Sequence, residues 1–221
     1  MPFIDIHTHQ TPEDPRDLFI QNIFPSDEPL SLRPGGFYSV GLHPWFINGE
    51  RNYKDELLEL EKKAMLPEVI AIGECGLDKL ANTESQLQLE VFVQQSLIAE
   101  SVNKPLVIHC VKSYNEIAHL KRRMKPKVPW LLHGFTGNDM IIKQLVPLDF
   151  FFSIGKILMT DNNNIRESLA SLPLDHLFFE TDEWKRPVQE VYSNYAALKE
   201  LTEDALSEQV MWNFRQVFIR E

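Results

Sequence analysis

Histidine and carboxylate side chains recur where short apolar runs end along this 221-residue chain. The clearest group is the segment Asp5–His9, which reads Asp-Ile-His-Thr-His. Residues i and i+2 of a strand share a face, so His7 and His9 can chelate one cation. Further candidate ligands stand at the ends of later runs, and these are Glu74, His109, His133 and Asp182. The pattern predicts a metal centre.

The carboxylates of this set have two kinds of expected role. Glu74 can bridge two cations through its two oxygens, whereas Asp182 either completes the shell of one cation or activates a water. Glu180 is expected to orient a ligand from behind. A set of nitrogen and oxygen ligands without sulfur is typical of zinc, manganese, magnesium, cobalt or nickel. We therefore expect two divalent cations, with Glu74 and Asp182 as catalytic residues.

The remaining histidines and both cysteines receive other assignments. His43, in the segment Gly41–Pro44, either touches substrate or holds its loop. His119 and His176 are expected to be structural, because they fall on a helix and at the start of a strand. Each cysteine follows a candidate ligand by one residue and is expected to point away from the metals, and these two are Cys75 and Cys110.

Eight short β-rich runs alternate with segments of helical periodicity. The expected strands are Phe3–His7, Leu18–Phe24, Phe37–Leu42, Val69–Glu74, Leu106–Cys110, Trp130–Phe135, Phe150–Ile154 and His176–Glu180. The expected helices are Tyr53–Met65, Thr83–Val102, Ser113–Met124, Asp139–Val146, Asp161–Leu172 and Thr202–Ile219.

This alternation predicts an α/β fold with a parallel sheet, and eight strands favour closure into a TIM-type (β/α)8 barrel. The first quarter of the chain is abnormal for a complete barrel, because five prolines between His9 and Phe37 leave no room for long helices. The first outer helices should be reduced or missing. No linker or repeat divides residues 1–221, so we expect one domain.

Bulk composition limits the classes of function. The net charge of −10 argues against non-specific binding of long nucleic acid, which needs a basic surface. Phosphate substrates stay open, because bound cations supply positive charge locally. Two cysteines make no disulfide framework, and neither a signal peptide nor a membrane span is apparent. We expect a cytoplasmic protein with no membrane association and no obligate protein partner.

With these residues assembled, the chain resembles the TatD family of metal-dependent deoxyribonucleases, which are amidohydrolase-like TIM barrels. The segments that match, in the family's order, are Asp5–His9, Gly41–Pro44, Gly73–Asp78, Ile108–Cys110, His133–Gly137, Glu180–Asp182 and Asn213–Phe218. The resemblance implies a distorted TIM barrel in which His7, His9, Glu74 and Asp182 hold one cation. It implies a second cation held by Glu74, His109 and His133.

The chain also departs from the family pattern. Its N-terminal region is shortened, Val111-Lys112 stands where an arginine is common, and Glu183–Pro187 replaces the usual loop after Asp182. These loops are expected to contact substrate. The resemblance therefore extends to the metal chemistry but does not extend to DNA as the substrate.

Three functions follow from this pattern. The leading one is a hydrolase of phosphodiester bonds that resembles a 3′-end exonuclease on DNA ends, with Asp182 as general base and with His43 and Lys112 steadying the phosphate. The second keeps the metals but acts on a small phosphoester, amide or lactone. The third is a non-catalytic metal-binding barrel, which the open metal positions disfavour.

Overall fold

A computed structural model of the chain describes residues 2–28, 34–47 and 52–219. Eight strands pair in parallel in chain order to form one sheet, and helices lie between the later strands. The strands are β1 Ile4–Thr8, β2 Leu18–Ile23, β3 Gly36–Val40, β4 Val69–Asp78, β5 Leu106–Val111, β6 Trp130–Leu132, β7 Phe150–Ile154 and β8 Leu177–Phe179. The helices are α1 Tyr53–Lys63, α2 Ser85–Ser101, α3 Tyr114–Met124, α4 Asp139–Leu145, α5 Asn163–Ala170, α6 Gln189–Lys199 and α7 Glu203–Phe218.

The sheet closes into a barrel just beyond β8. Asp182 forms a parallel bridge with Thr8, in which the Asp182 amide donates to the His7 carbonyl at 2.9 Å and the His9 amide donates to the Asp182 carbonyl at 3.2 Å. The expected TIM-type barrel is therefore confirmed. The seam also brings the two histidines beside Asp182.

The strands are apolar because both of their faces are covered, as in other parallel barrels. Every residue of β1 and of β4 is buried, and the core continues outward into helix residues such as Phe92 and Tyr192. None of the helices that the structure describes has the length and apolar character that a membrane crossing requires.

The described residues between β1 and β3 contain no helix, which confirms the expected loss of the first outer helices. Instead, α6 and α7 pack against this side of the barrel. The Tyr192 hydroxyl of α6 donates to the Ile4 carbonyl at 3.0 Å, and Asn213 of α7 donates to the Leu177 carbonyl at 2.9 Å. The closing motif around Asn213 thus has a structural explanation, because it fixes the start of β8.

Several predicted boundaries were wrong. β4 does not end at Glu74 but keeps pairing with β5 as far as Asp78, so Gly73 and Gly76 both lie inside this strand. β6 ends before His133, although the His133 amide still donates to the Ile108 carbonyl of β5 at 3.1 Å. Helix α6 was not predicted, although its buried residues follow a helical spacing.

Candidate metal centre

Glu74 stands at the centre of a cluster of histidines at the carboxyl ends of the strands. Its Oε1 lies 2.7 Å from His133 Nε2 and 2.8 Å from His109 Nδ1. His43 Nε2 approaches the same oxygen at 3.2 Å. The other oxygen, Oε2, lies 3.4 Å from His7 Nε2. The two oxygens of one carboxylate therefore face different sets of imidazoles.

The two sets correspond to two groups of potential ligand atoms. In each group the atoms lie within 4.8 Å of one another, and the groups are His7, His9, Glu74 and His43, Glu74, His109. Asp182 extends the first group, because its Oδ1 lies 3.6 Å from His9 Nε2 and 3.8 Å from His7 Nε2.

The donor set suits a cation by an independent criterion. Both ring nitrogens of the buried His7 lack a hydrogen-bond partner among the described residues, and leaving a buried polar atom unpaired is costly. Nε2 points toward carboxylates that are too far, or too poorly aligned, for a hydrogen bond. A divalent cation coordinated by this nitrogen and the neighbouring carboxylates would satisfy it.

The electrostatics of the cluster favour positive charge beside Glu74. Burial by itself would raise the pKa of Glu74, but His133, His109 and His43 together hold that pKa well below its usual range. Burial would likewise lower the pKa of His133, yet Glu74 and Glu180 raise it well above normal. The pKa of His43 is lowered, chiefly by burial, so its ring is neutral and able to act as a ligand or acceptor.

Asp182 is the most accessible carboxylate of the cluster, with a third of its side chain exposed. Burial raises its pKa, but the contact with His9 and the charges of His7 and His133 outweigh burial, and the pKa falls below its usual value. The pKa of His9 rises in turn because of its contact with Asp182. Asp182 is therefore ionised at neutral pH.

Three residues that sequence reasoning missed position the cluster from behind. The Glu74 amide donates to Asn22 Oδ1 at 2.7 Å, which fixes the backbone of the central carboxylate. Asp78 Oδ2 lies 3.1 Å from His109 Nε2, on the side of the ring away from Glu74. The same oxygen accepts a hydrogen bond of 2.6 Å from Trp45 Nε1. Asp78 belongs to the segment Gly73–Asp78 of the family resemblance, but a strand that was predicted to end at Glu74 gave it no role.

A second buried carboxyl fastens the barrel seam close to the cluster. Asp5 accepts hydrogen bonds from the Thr181 amide at 3.0 Å and from its hydroxyl at 2.6 Å. Burial raises the pKa of Asp5 to about 7, against the lowering effect of those hydrogen bonds. On the inner side, Glu180 Oε1 lies 3.5 Å from His133 Nδ1 and accepts from the Gly134 amide at 2.7 Å.

The remaining sequence predictions concern one lysine, two histidines and the two cysteines. Lys112 is exposed directly after β5 and has a left-handed φ of 54°; it is not among the residues that contact Glu74. His119 lies on α3, and His176 contacts Asp149 and Asp175 at 3.0 and 2.9 Å. Neither cysteine belongs to the two ligand groups found in the described residues. Burial raises the pKa of the Cys110 thiol to about 12.

Comparison with known proteins gives the site a family context. Residues 30–219 match the family described as TatD related DNase. A metal-dependent hydrolase of Buchnera aphidicola, BU355, is 30% identical over 82% of this chain and 76% of its own length. A 3′-5′ ssDNA/RNA exonuclease TatD of Edwardsiella piscicida is 28% identical over 65% of this chain and 56% of its own length.

The crystal structure of YJJV, a TatD homologue from Escherichia coli, superposes with a TM-score of 0.85 at 19% identity. That match covers 99% of this chain and 98% of the other, so it supports the barrel fold. Sequence alignments are less complete, since the chain spans only 54% of the length of one curated relative.

Proposed function

We propose that this chain, which belongs to the TatD family of metal-dependent hydrolases, cleaves phosphodiester bonds at the ends of single-stranded nucleic acid. The observation that carries the proposal is the position of Glu74, whose two oxygens face separate sets of histidines. A carboxylate between two ligand sets suits a pair of cations that share it, and paired cations are typical of phosphodiester hydrolysis. The relative named as an exonuclease supports the choice of substrate.

The proposal assigns each ligand to one of two cations. His7, His9 and Asp182 would hold the first cation, His109 and His133 would hold the second, and Glu74 would bridge them. Zinc, manganese, magnesium, cobalt and nickel all accept such ligands. Two divalent cations there would polarise the phosphoryl oxygens and lower the pKa of a water molecule between them.

The side chains of the cluster would perform the remaining steps. Asp182, ionised and a third exposed, would accept the proton of the attacking water. We assign His43 to the phosphate because it lies farther from Glu74 than His109 and His133 do. Lys112, exposed at the end of β5, would add positive charge to the same phosphate.

The test uses an end-labelled single-stranded oligonucleotide with magnesium or manganese. Wild-type protein should shorten it from the 3′ end, and Glu74→Gln should reduce that rate at least about 100-fold, because the amide cannot bridge two cations. Asp182→Asn should lose turnover while it still binds both cations. Glu116→Gln, which changes an exposed carboxylate on α3, is the matched control and should behave as wild type.

The alternative substrates give different results in the same assay. If oligonucleotides stay intact while a small phosphoester, amide or lactone is hydrolysed, the catalytic site is correct and the nucleic-acid substrate is wrong. If cations bind but no substrate is turned over, the chain is a non-catalytic metal-binding barrel.

A further inference from the structure

An indole ring stands in solvent directly beside the metal centre. Trp45 is 59% exposed, although its ring centroid lies 5.1 Å from that of His43 and 6.2 Å from that of His109. Both histidines contact the Oε1 atom of Glu74. The indole therefore lies one ring away from the atoms that would hold a scissile phosphate.

The loop after β3 holds this ring in place. The indole Nε1 donates to Asp78 Oδ2 at 2.6 Å, and the Trp45 amide donates to His43 Nδ1 at 3.1 Å. The Thr83 hydroxyl fixes the preceding carbonyl, that of Pro44, at 2.6 Å. The polar edge of the ring is thus tied to the barrel, whereas more than half of the residue's surface faces water.

An exposed aromatic ring forgoes the free energy that its burial would provide. A second exposed ring also lies beside His43, since Phe46 is 51% exposed with its centroid 5.8 Å from that of the histidine. Proteins that bind single strands use fixed, exposed aromatic rings of this kind as surfaces on which bases stack.

We propose that Trp45 stacks on the nucleobase next to the phosphodiester that is cleaved, and so selects unpaired nucleic acid. The inference rests on the proposed function, because it places a base where that function places a phosphate. A base of a single strand can turn away from its neighbours and offer a face, whereas a base pair inside a duplex has both faces covered by the adjacent pairs. Every base has such a face, so the contact selects strand state and tolerates sequence.

A structural role for Trp45 makes a different prediction. The ring could serve only to hold Asp78, which lies 3.1 Å from His109, and its loss would then slow cleavage of every substrate equally. Stacking acts only on substrates that carry a base at the contacted position. Removal of the base from the substrate therefore separates the two roles.

The experiment combines variants of the protein with abasic substrates. Single-stranded oligonucleotides carry one abasic site, at the terminal or at the penultimate 3′ nucleotide, and kcat/KM is compared with that for the intact strand. Wild type should prefer the intact strand about 5- to 150-fold over one of the abasic strands, as expected for one stacked base. Trp45→Ala should reduce this preference to less than about 2-fold. Trp45→Phe, which keeps a ring but loses the N–H group, should retain most of it.

Trp212→Ala is the matched control, because Trp212 is 53% exposed on the outer helix α7. It should keep the wild-type preference. The inference is overturned if Trp45→Ala shows the same intact-to-abasic ratio of kcat/KM as wild type, whether or not both values fall. If wild type cleaves small esters but no oligonucleotide, the proposed function fails and the inference fails with it, which is a distinct result.

A binding measurement supplies a readout that needs neither cations nor turnover. With a chelator present, fluorescence anisotropy of a labelled thymidine oligonucleotide should show a Kd about 5-fold or more higher for Trp45→Ala than for wild type. Trp45→Phe and Trp212→Ala should bind nearly as wild type does. Equal affinities for wild type and Trp45→Ala would contradict stacking.

Discussion

At the scale of single residues, the histidines of the cluster differ because their second nitrogens meet different partners. His133 has a carboxylate on each side, Glu74 and Glu180, and His109 likewise lies between Glu74 and Asp78. His7 has no hydrogen-bond partner among the described residues. Carboxylates behind metal-binding histidines fix the orientation of the ring and increase its basicity. Under the proposed function, Asp78 would be a positioning residue for the second cation, and Glu180 would act on the same cation through its 3.5 Å contact with His133.

We predict that Asp78→Asn weakens metal binding and leaves the fold intact. An amide cannot accept from His109 Nε2 and Trp45 Nε1 with the strength of a carboxylate, and loss of such a partner costs roughly 10- to 100-fold in metal affinity. Isothermal titration with manganese should show one of two sites weakened by that factor. Asp175→Asn removes a comparable contact, to His176 at 2.9 Å, and should leave both sites unchanged. Equal affinities for wild type and Asp78→Asn would remove the positioning role.

At the scale of elements, the closeness of β4 to its neighbours places Glu74 among the histidines. A Cβ atom on Gly76 would lie 1.9 Å from the His109 carbonyl oxygen, and one on Gly73 would lie 2.3 Å from that of Val107. Only glycine allows this approach of β4 to β5. Because the backbones of β4 and β5 approach so closely here, Glu74 Oε1 lies 2.8 Å from His109 Nδ1.

We predict that Gly76→Ala separates β4 from β5 and damages both stability and metal binding. The added methyl group meets a backbone atom that cannot rotate away, so the free energy of unfolding should fall by about 2 kcal/mol or more. Gly155→Ala is a graded control, because its Cβ would find the nearest atom at 3.1 Å. Urea denaturation should show a clearly smaller loss for Gly155→Ala. Similar losses for the two variants would show that the strand spacing is not critical.

Helix α3 contacts the barrel through a lysine with an altered pKa. Burial lowers the pKa of Lys121 to about 8, against the raising effect of Asp149. The unfolded chain therefore binds more protons than the folded one between about pH 8 and 10.5, and the free energy of unfolding should rise with pH in that range.

We predict that Lys121→Met loses this dependence on pH. As pH rises from 8 to 10.5, the unfolding free energy of wild type should increase by up to about 3 kcal/mol relative to that of Lys121→Met. The contact of Nζ with the Phe150 ring, 4.2 Å from its centroid, favours the charged form and reduces that figure. Lys143→Met, at an exposed position of α4, should follow the wild-type curve. If the unfolding free energy of Lys121→Met changed with pH in parallel with that of wild type, the lowered pKa of Lys121 would be disproved.

Strand type and order were predictable because buried parallel strands are apolar on both faces, as Val69–Ile72 and Leu106–Ile108 show. The convergence of the candidate ligands was also predictable, because parallel strands in one barrel end at a shared edge. The contact of Asp78 with His109 was not predictable, because it depends on β4 running four residues past Glu74. Helix α6 was predictable, because Val188 directly before it and Val191, Tyr192 and Tyr195 within it follow the spacing of one buried helix face.

At the scale of the whole molecule, the candidate metal centre unites strands that are distant in the chain. β1, β4 and β5, together with the segments that directly follow β6 and β8, contribute side chains to the cluster around Glu74. The seam between β1 and β8 is formed by few hydrogen bonds, two of which flank Asp182. A cation between His7 and Asp182 would therefore add a link across the least-paired junction of the barrel.

We predict that divalent cations raise the thermal stability of the chain. A ligand that binds only the folded state, at about 100 times its Kd, adds about 2.7 kcal/mol. For a chain of this length each kcal/mol raises Tm by about 2–4 °C, so the expected increase is roughly 5–11 °C. Calorimetry of metal-free protein, with and without manganese, measures it. His7→Ala and Glu74→Gln should lose most of the increase, because each removes a ligand. His119→Ala, on helix α3, should keep it. An equal increase in all variants would place the stabilising cation elsewhere, and no increase would argue against a bound metal at the seam.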